Sequence, residues 1–304
     1  MTTHPIDHRA FLASLSGETR ADLTAKSDLI GLSHLALHWG CIGLVGALIA
    51  HRVPGWWALM PLQGVLLVFL FTLLHETSHQ TAFKSRRVNK LVGYVCGFLL
   101  LLPANWFRYY HFAHHRHTQD PDKDPELAHP KPQTEQAYAW HITGLPVWIS
   151  QITTLVRNAS GGCRDTFVPN PKRGTVQREA LTRLGLYAAF HGLGLGLAGI
   201  GATLWTVWIC PMILGQPFLR LYLLAEHGRC PLVANMFENS RTTFTNWLVR
   251  KLAWNMPYHA EHHAAPTVPF HRLPDLHKLA RPHLCKTSQG YTRFHQYYAA
   301  ELAK

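Results

Sequence analysis

Four apolar runs decide the environment of this chain. Residues 31–50 and 56–74 are each close to the roughly 20 residues that cross a hydrocarbon core, and only HRVPG separates them. A second pair, 184–202 and 203–225, is joined through the uncharged GIGAT. The glycines of HGLGLGLAGIG would weaken a helix in water, but membrane helices pack closely through small residues. Only 15% of the 304 residues are charged and 47% are hydrophobic, against about 25% charged in an ordinary soluble domain. A disordered chain is excluded and a purely water-soluble one is not expected. The first thirty residues are polar, with Asp7, Glu18, Asp22 and Asp28. With no apolar run there, no cleaved signal peptide is expected.

Basic residues set the expected orientation. The two hairpin turns hold Arg52 alone, whereas Lys84, Arg86, Arg87, Lys90, Lys172, Arg173, Arg250 and Lys251 flank the opposite ends. The positive-inside rule then puts both termini and the long polar segments in the cytoplasm. The apolar run 91–103 is short for a span and suits a re-entrant, interfacial or buried helix. Residues 138–156 are half-apolar and are expected to lie along the interface. The expected fold is all-α: a polytopic membrane protein with four transmembrane helices in two hairpins and a helical cytoplasmic cap carrying a di-metal site. As one domain over 1–304, it divides into a cytoplasmic segment (1–30), a first hairpin (31–74), a first part of the cap (75–183), a second hairpin (184–225) and a second part of the cap (226–304). The formal charge of +12 comes in short clusters between apolar stretches, so nucleic acid is not an expected partner. The six cysteines lie far apart with no CxxC, which gives neither a zinc knuckle nor an evident disulfide framework.

Histidine, with 22 residues, outnumbers the 17 acidic residues, and packing alone does not explain that. Three clusters stand out: His75-Glu76-Thr77-Ser78-His79, His111-Phe112-Ala113-His114-His115 and His259-Ala260-Glu261-His262-His263. On a helix turning about 100° per residue, positions i, i+3 and i+4 share one side. Each cluster therefore aims two or three imidazoles at one centre. Imidazole suits zinc, copper, iron and nickel, so the ligand type leaves the metal open. An isolated HExxH points first to a zinc hydrolase with the glutamate as general base, here an intramembrane protease using His75, Glu76 and His79. That reading leaves both HxxHH clusters unused. Eight imidazoles also exceed the four positions of one tetrahedral zinc, so two metals are expected.

These boxes, with HHRHTQDPDKDPE and NMPYHAEHHAAPTVPFHRLPDLH, resemble the integral-membrane fatty acid desaturase and hydroxylase superfamily, and its bacterial branch in particular. The resemblance covers residues 31–285. It implies a non-haem di-iron centre that uses O₂ to break an unactivated C–H bond, with His75, His79, His111, His114, His115, His259, His262 and His263 as iron ligands. Members often carry one more ligand histidine between the second and third boxes, and His227 occupies that place. The expected activity is desaturation of a fatty acyl chain, lipid-linked or as a thioester. Hydroxylation of a lipid, an alkane or a smaller amphiphile on the same scaffold is the alternative. The HExxH form of the first box occurs in alkane hydroxylases and several bacterial desaturases, and rhizobitoxine-type desaturases extend the branch to small amino-acid-like substrates. Glu76 is expected to orient an imidazole from outside the ligand shell.

Turnover in this family consumes two external electrons. The chain has no Cys₄ cluster spacing and no GxGxxG, so an external donor of the ferredoxin, rubredoxin or cytochrome b5 kind is expected. Lys84, Arg86, Arg87 and Lys90 offer a patch for an acidic donor. Other histidines rank lower as ligands. His34 and His38 lie beside Trp39, as in an interfacial belt, His191 lies inside the third expected span, and His117 extends the second box as a support. Asp120, Asp122 and Asp124 are candidate acceptors for ligand N–H groups.

Overall fold

The computed structural model describes residues 6–196 and 200–304. It is helical almost throughout. The one β-ribbon among the described residues is two-stranded and parallel, Thr242–Thr243 against Thr287–Ser288.

Three helical stretches are long and apolar enough to cross a membrane: Gly17–Ala50, Trp56–Ser78 and Gly201–His227. The first begins its continuous helix at Asp28, capped by the Ser27 side chain on the Ile30 N–H. Capping there satisfies one of the orphan donors at a helix start. The expected third span, 184–202, is different. Its helix runs Arg173–Gly196, starting earlier than the apolar run, and its first half carries Arg173, Arg178, Glu179 and Arg183. Residues 197–199 of that expected span, with the start of its turn, lie outside the described residues. A fourth candidate comes instead from Arg86–Leu99 and Ala104–His117, two helices bent by 101° at a short break. That bend lies where the run 91–103 was too short to span.

Two spans are locked together by their glycines. The Met60–Val68 helix packs along Cys210–His227, and a Cβ on Gly64 would come within 2.1 Å of the Pro211 carbonyl oxygen. A Cβ on Gly215 would meet the Gly64 oxygen at 2.3 Å. Only hydrogen fits at either position, so the backbones touch as small residues permit in membrane bundles. The crossing brings the ends of both spans, with His75 and His227, into one region. Upstream of it, residues 205–209 form a π turn within the Gly201–His227 span.

The half-apolar segment folds as Glu135–Thr143 and Leu145–Ala159, joined at Gly144 with φ 72°. Leu145, Ile149, Ile152 and Val156 are exposed along one side of the second helix, the stripe expected of a helix lying in a membrane surface.

Candidate metal centre

The first box ends the second span. Helix Leu70–Ser78 carries His75, and His79 caps it. The second box closes helix Ala104–His117. The third forms its own short helix, His259–Ala264, and His227 is the last residue of Cys210–His227. All nine histidines come together, in two groups.

One ring nitrogen from each of His75, His79, His111, His115 and His262 lies within 4.8 Å of the others, and the same holds for His114, His227 and His263. His259 joins the second group, its Nε2 2.9 Å from Nε2 of His227. The division cuts through the boxes. His115 and His262 belong to the first group, while their immediate neighbours His114 and His263 belong to the second. Two nitrogens at about 2.1 Å from one ion stand roughly 3.0–3.4 Å apart at right-angled or tetrahedral geometry. The Nε2–Nε2 separations are 2.7 Å for His79–His111 and 3.2 Å for His114–His227.

Within the first group both ring nitrogens of His75, His115 and His262 are buried without a hydrogen-bond partner, and so is Nε2 of His263 in the second. A buried polar atom without a partner is costly, and a cation that accepts one lone pair from each neutral ring satisfies the acceptor nitrogens of such a cluster. Burial pushes the pKa values of His259, His262 and His263 well below the ordinary imidazole value, and neighbouring imidazoles push the same way. They are therefore neutral, the form that ligates metal.

Three rings of the second group have hydrogen-bond partners for their other nitrogens, and the fourth, His259, has a carboxylate near its Nδ1. His114 Nδ1 lies 2.9 Å from Asp124 Oδ1, His227 Nδ1 lies 3.0 Å from the Asn239 carbonyl oxygen, and His263 Nδ1 is 3.1 Å from Thr118 Oγ1. His259 Nδ1 is 3.4 Å from Glu226 Oε1. The acidic turn after the second box makes this arrangement. Gln119 adopts φ 63° and donates its N–H to Asp124 Oδ2 at 2.8 Å, folding the chain back so that Asp124 reaches His114. Asp120 instead accepts from the Asp122 N–H, so only Asp124 of the three acidic residues meets an imidazole. Glu126 approaches His114 Nε2 at 3.4 Å. Burial opposes its ionisation, but Lys131 at 2.6 Å and His114 outweigh that and hold its carboxyl well below the usual range.

Glu76 departs from expectation. It touches no imidazole: its Oε1 accepts the Phe270 N–H at 2.8 Å, tying the first-box helix to the loop after the third box. A zinc hydrolase needs that carboxylate facing a metal-bound water, so the protease reading fails on geometry. Glu261 acts in the same way for the third box, bonded to Thr242 Oγ1 and His277 Nδ1. The four lower-ranked histidines lie elsewhere. His34 reaches the Lys251 carbonyl at 2.7 Å and His38 that of Leu66 at 2.9 Å. His191 bonds the Tyr187 carbonyl one turn back, and His117 joins neither group. Glu126, Glu226, Glu261, Thr118, Asn239 and His277 were not anticipated. The glutamate inside HAEHH was the one signal pointing to any of them.

Residues 53–296 match the family model described as fatty acid desaturase. The chain belongs to the fatty acid desaturase family. It is accordingly an oxidoreductase and a membrane protein. It is 25% identical over 274 residues to a dihydrorhizobitoxine desaturase of Bradyrhizobium elkanii, covering 83% of this chain and 75% of that one. It is also 25% identical over 234 residues to a sphingolipid delta(4)-desaturase of Drosophila melanogaster, covering 72% and 64%. Against a chloroplastic omega-3 fatty acid desaturase of Glycine max it is 22% identical over 254 residues, covering 75% of this chain but 54% of the relative.

Proposed function

We propose that this chain is an O₂-dependent desaturase of a fatty acyl chain, lipid-linked or held as a thioester, built around two irons. The observation that carries the reading is the pair of adjacent histidine groups with unpartnered buried nitrogens. His75, His79, His111, His115 and His262 would hold one iron, and His114, His227, His259 and His263 the other. When bound, the irons supply activation of O₂ and the oxidising power for C–H cleavage. The protein's own contribution is to bury nine imidazoles and keep them aimed. Asp124 accepts the Nδ1 proton of His114 and so leaves Nε2 free for metal. The Asn239 carbonyl does the same for His227. Glu76 fixes the first box to the Phe270 backbone, and Glu261 fixes the third to the Thr242 and His277 side chains.

Two electrons per turnover come from an external donor of the ferredoxin, rubredoxin or cytochrome b5 kind. The exposed Lys84, Arg86, Arg87 and Lys90 support an acidic surface on that donor. Both termini and the histidine groups face the cytoplasm in this reading, since the basic clusters lie on that side. A reporter fused at Pro54 is expected outside, and one at Ser85, Lys131 or the C-terminus inside.

Metal analysis of the detergent-purified protein, joined to lipid and metabolite profiling of a host with and without the chain, tests the proposal. Two irons per chain and an O₂-dependent gain of unsaturated product are expected. A single zinc would sink it, and a hydroxylated product would move it to the alternative chemistry.

A further inference from the structure

The acidic residues around the histidine groups do not all face them alike. Glu76 and Glu261 bond to groups outside the nine imidazoles. Asp124 and Glu226 approach Nδ1 of His114 and His259, while the Nε2 atoms of both rings point to Nε2 of His227. These two carboxylates therefore stand behind their rings, where they fix orientation. Glu126 is different. Its Oε2 lies 3.4 Å from Nε2 of His114, on the side where the second group converges.

The chain places it there. Asp124 caps the short helix Pro125–Ala128 and takes the Glu126 N–H on Oδ1 at 2.9 Å. The same carboxylate meets Nδ1 of His114 at 2.9 and 3.1 Å, so one side chain sets both the ring and the glutamate. Lys131, between Pro130 and Pro132, holds Oε1 of Glu126 at 2.6 Å and leaves Oε2 for the centre. With Nδ1 given to Asp124, His114 has Nε2 left for a metal. Nε2 of His227 is 3.2 Å from it, and because His227 Nδ1 donates to the Asn239 carbonyl, that Nε2 is a lone pair. A carboxylate oxygen and ring nitrogens without protons are all acceptors, and a cation between them lets them converge without repulsion. Two donors about 2.1 Å from one ion stand roughly 3.0–3.4 Å apart, which both separations match. Glu126, like His259, lies at the edge of the trio His114, His227 and His263. Its side chain is 31% exposed against 5% for His114, so it closes the group on the side nearest solvent.

We propose that Glu126 is a carboxylate ligand of the second metal ion, beside His114, His227, His259 and His263. The inference deepens the two-iron reading and rests on it. The first group then offers neutral imidazoles only, whereas the second carries one negative charge anchored through Lys131. An anionic oxygen donor favours the more highly charged state of an ion by simple Coulomb attraction. The ion held with Glu126 is therefore the more easily oxidised of the two.

Ferrous iron titrated into the metal-stripped, detergent-purified protein, with Mössbauer spectra of the loaded samples, tests this. The wild type is expected to take two irons that give two doublets of equal area. Glu126→Gln removes the charge and keeps the shape. It should weaken one site by at least about 10–100-fold, the loss that even an outer partner of a ligand causes, and should shift the doublet of that site while the other stays. Lys131→Met should leave both doublets in place and weaken the site less, because the carboxylate still ligates. Glu126→Asp, one methylene short, should shift the same doublet with an intermediate loss of affinity, and it decides if thermal melting shows Glu126→Gln to be unfolded. Unshifted doublets with unchanged affinity in the folded Glu126 variant would overturn the proposal. Equal losses in Glu126→Gln and Lys131→Met would overturn it too, since that is the pattern of a glutamate that only pairs with the lysine. Fewer than two irons in the wild type would instead sink the two-iron reading, and this one with it.

Discussion

The two histidine groups lie side by side, yet they are held in different ways. In the group of His114, His227, His259 and His263, each ring has its second nitrogen near an oxygen of the protein: Asp124, the Asn239 carbonyl, Glu226 or Thr118. In the group of His75, His79, His111, His115 and His262, three rings have both nitrogens unpartnered. Their orientation comes from helix packing and from two buried glutamates that grip backbone and neighbouring side chains. One group is aimed by hydrogen bonds and the other by the scaffold. The expected consequence is that they respond to different mutations.

The largest effect is expected where the two groups are equal. Alanine at His111 or at His227 should abolish turnover and remove one iron per chain while the protein still inserts in the membrane. Activity retained by both variants would end the ligand assignment. Next comes Asp124→Asn, which should weaken iron binding by about 10–100-fold. Titration of iron into the stripped protein should show one tight and one weakened site, and two equally weakened sites would erase the distinction between the groups. Glu76→Ala should do the reverse. It leaves the Phe270 N–H buried without its acceptor, a loss of about 1–3 kcal/mol in stability, read by thermal melting, with both irons retained at saturation. The smallest effect belongs to His34→Ala. The change breaks a bond to the Lys251 carbonyl and removes a ring packed on Trp254 and Phe270, which lowers the melting temperature but should leave iron content untouched.

The boxes were legible because helical spacing is local: His75 and His79, or His111, His114 and His115, share a side whatever surrounds the helix. The division into groups was not. His114 and His115 are adjacent, so their side chains diverge by about 100°, and which of them meets His262 depends on a helix some 150 residues away in the chain. Asp124 was readable from the acidic turn, but Glu76 was misread. Its Oε1 is held by the Phe270 N–H, a backbone group, and side-chain patterns do not announce those. The first two spans were clear from length and hydropathy. The Arg173–Gly196 helix was not, because its apolar half continues into a charged half without any break in helical propensity.

The π turn at residues 205–209 has a consequence for how the last span is phased. Such a turn takes up about one residue more than an α turn, which rotates everything after it relative to everything before by close to 100°. The apolar segment 201–227 thus contains two helices in different phase, and only the later one is bound by the contact of Gly215 with Gly64 and by the face shared by Gln216, Arg220 and His227. Removing one residue between Trp205 and Ile209 would let the span regain uniform pitch, with the turn absorbing the change. Removing one between Gly215 and His227 has no such slack and would swing His227 away from His114.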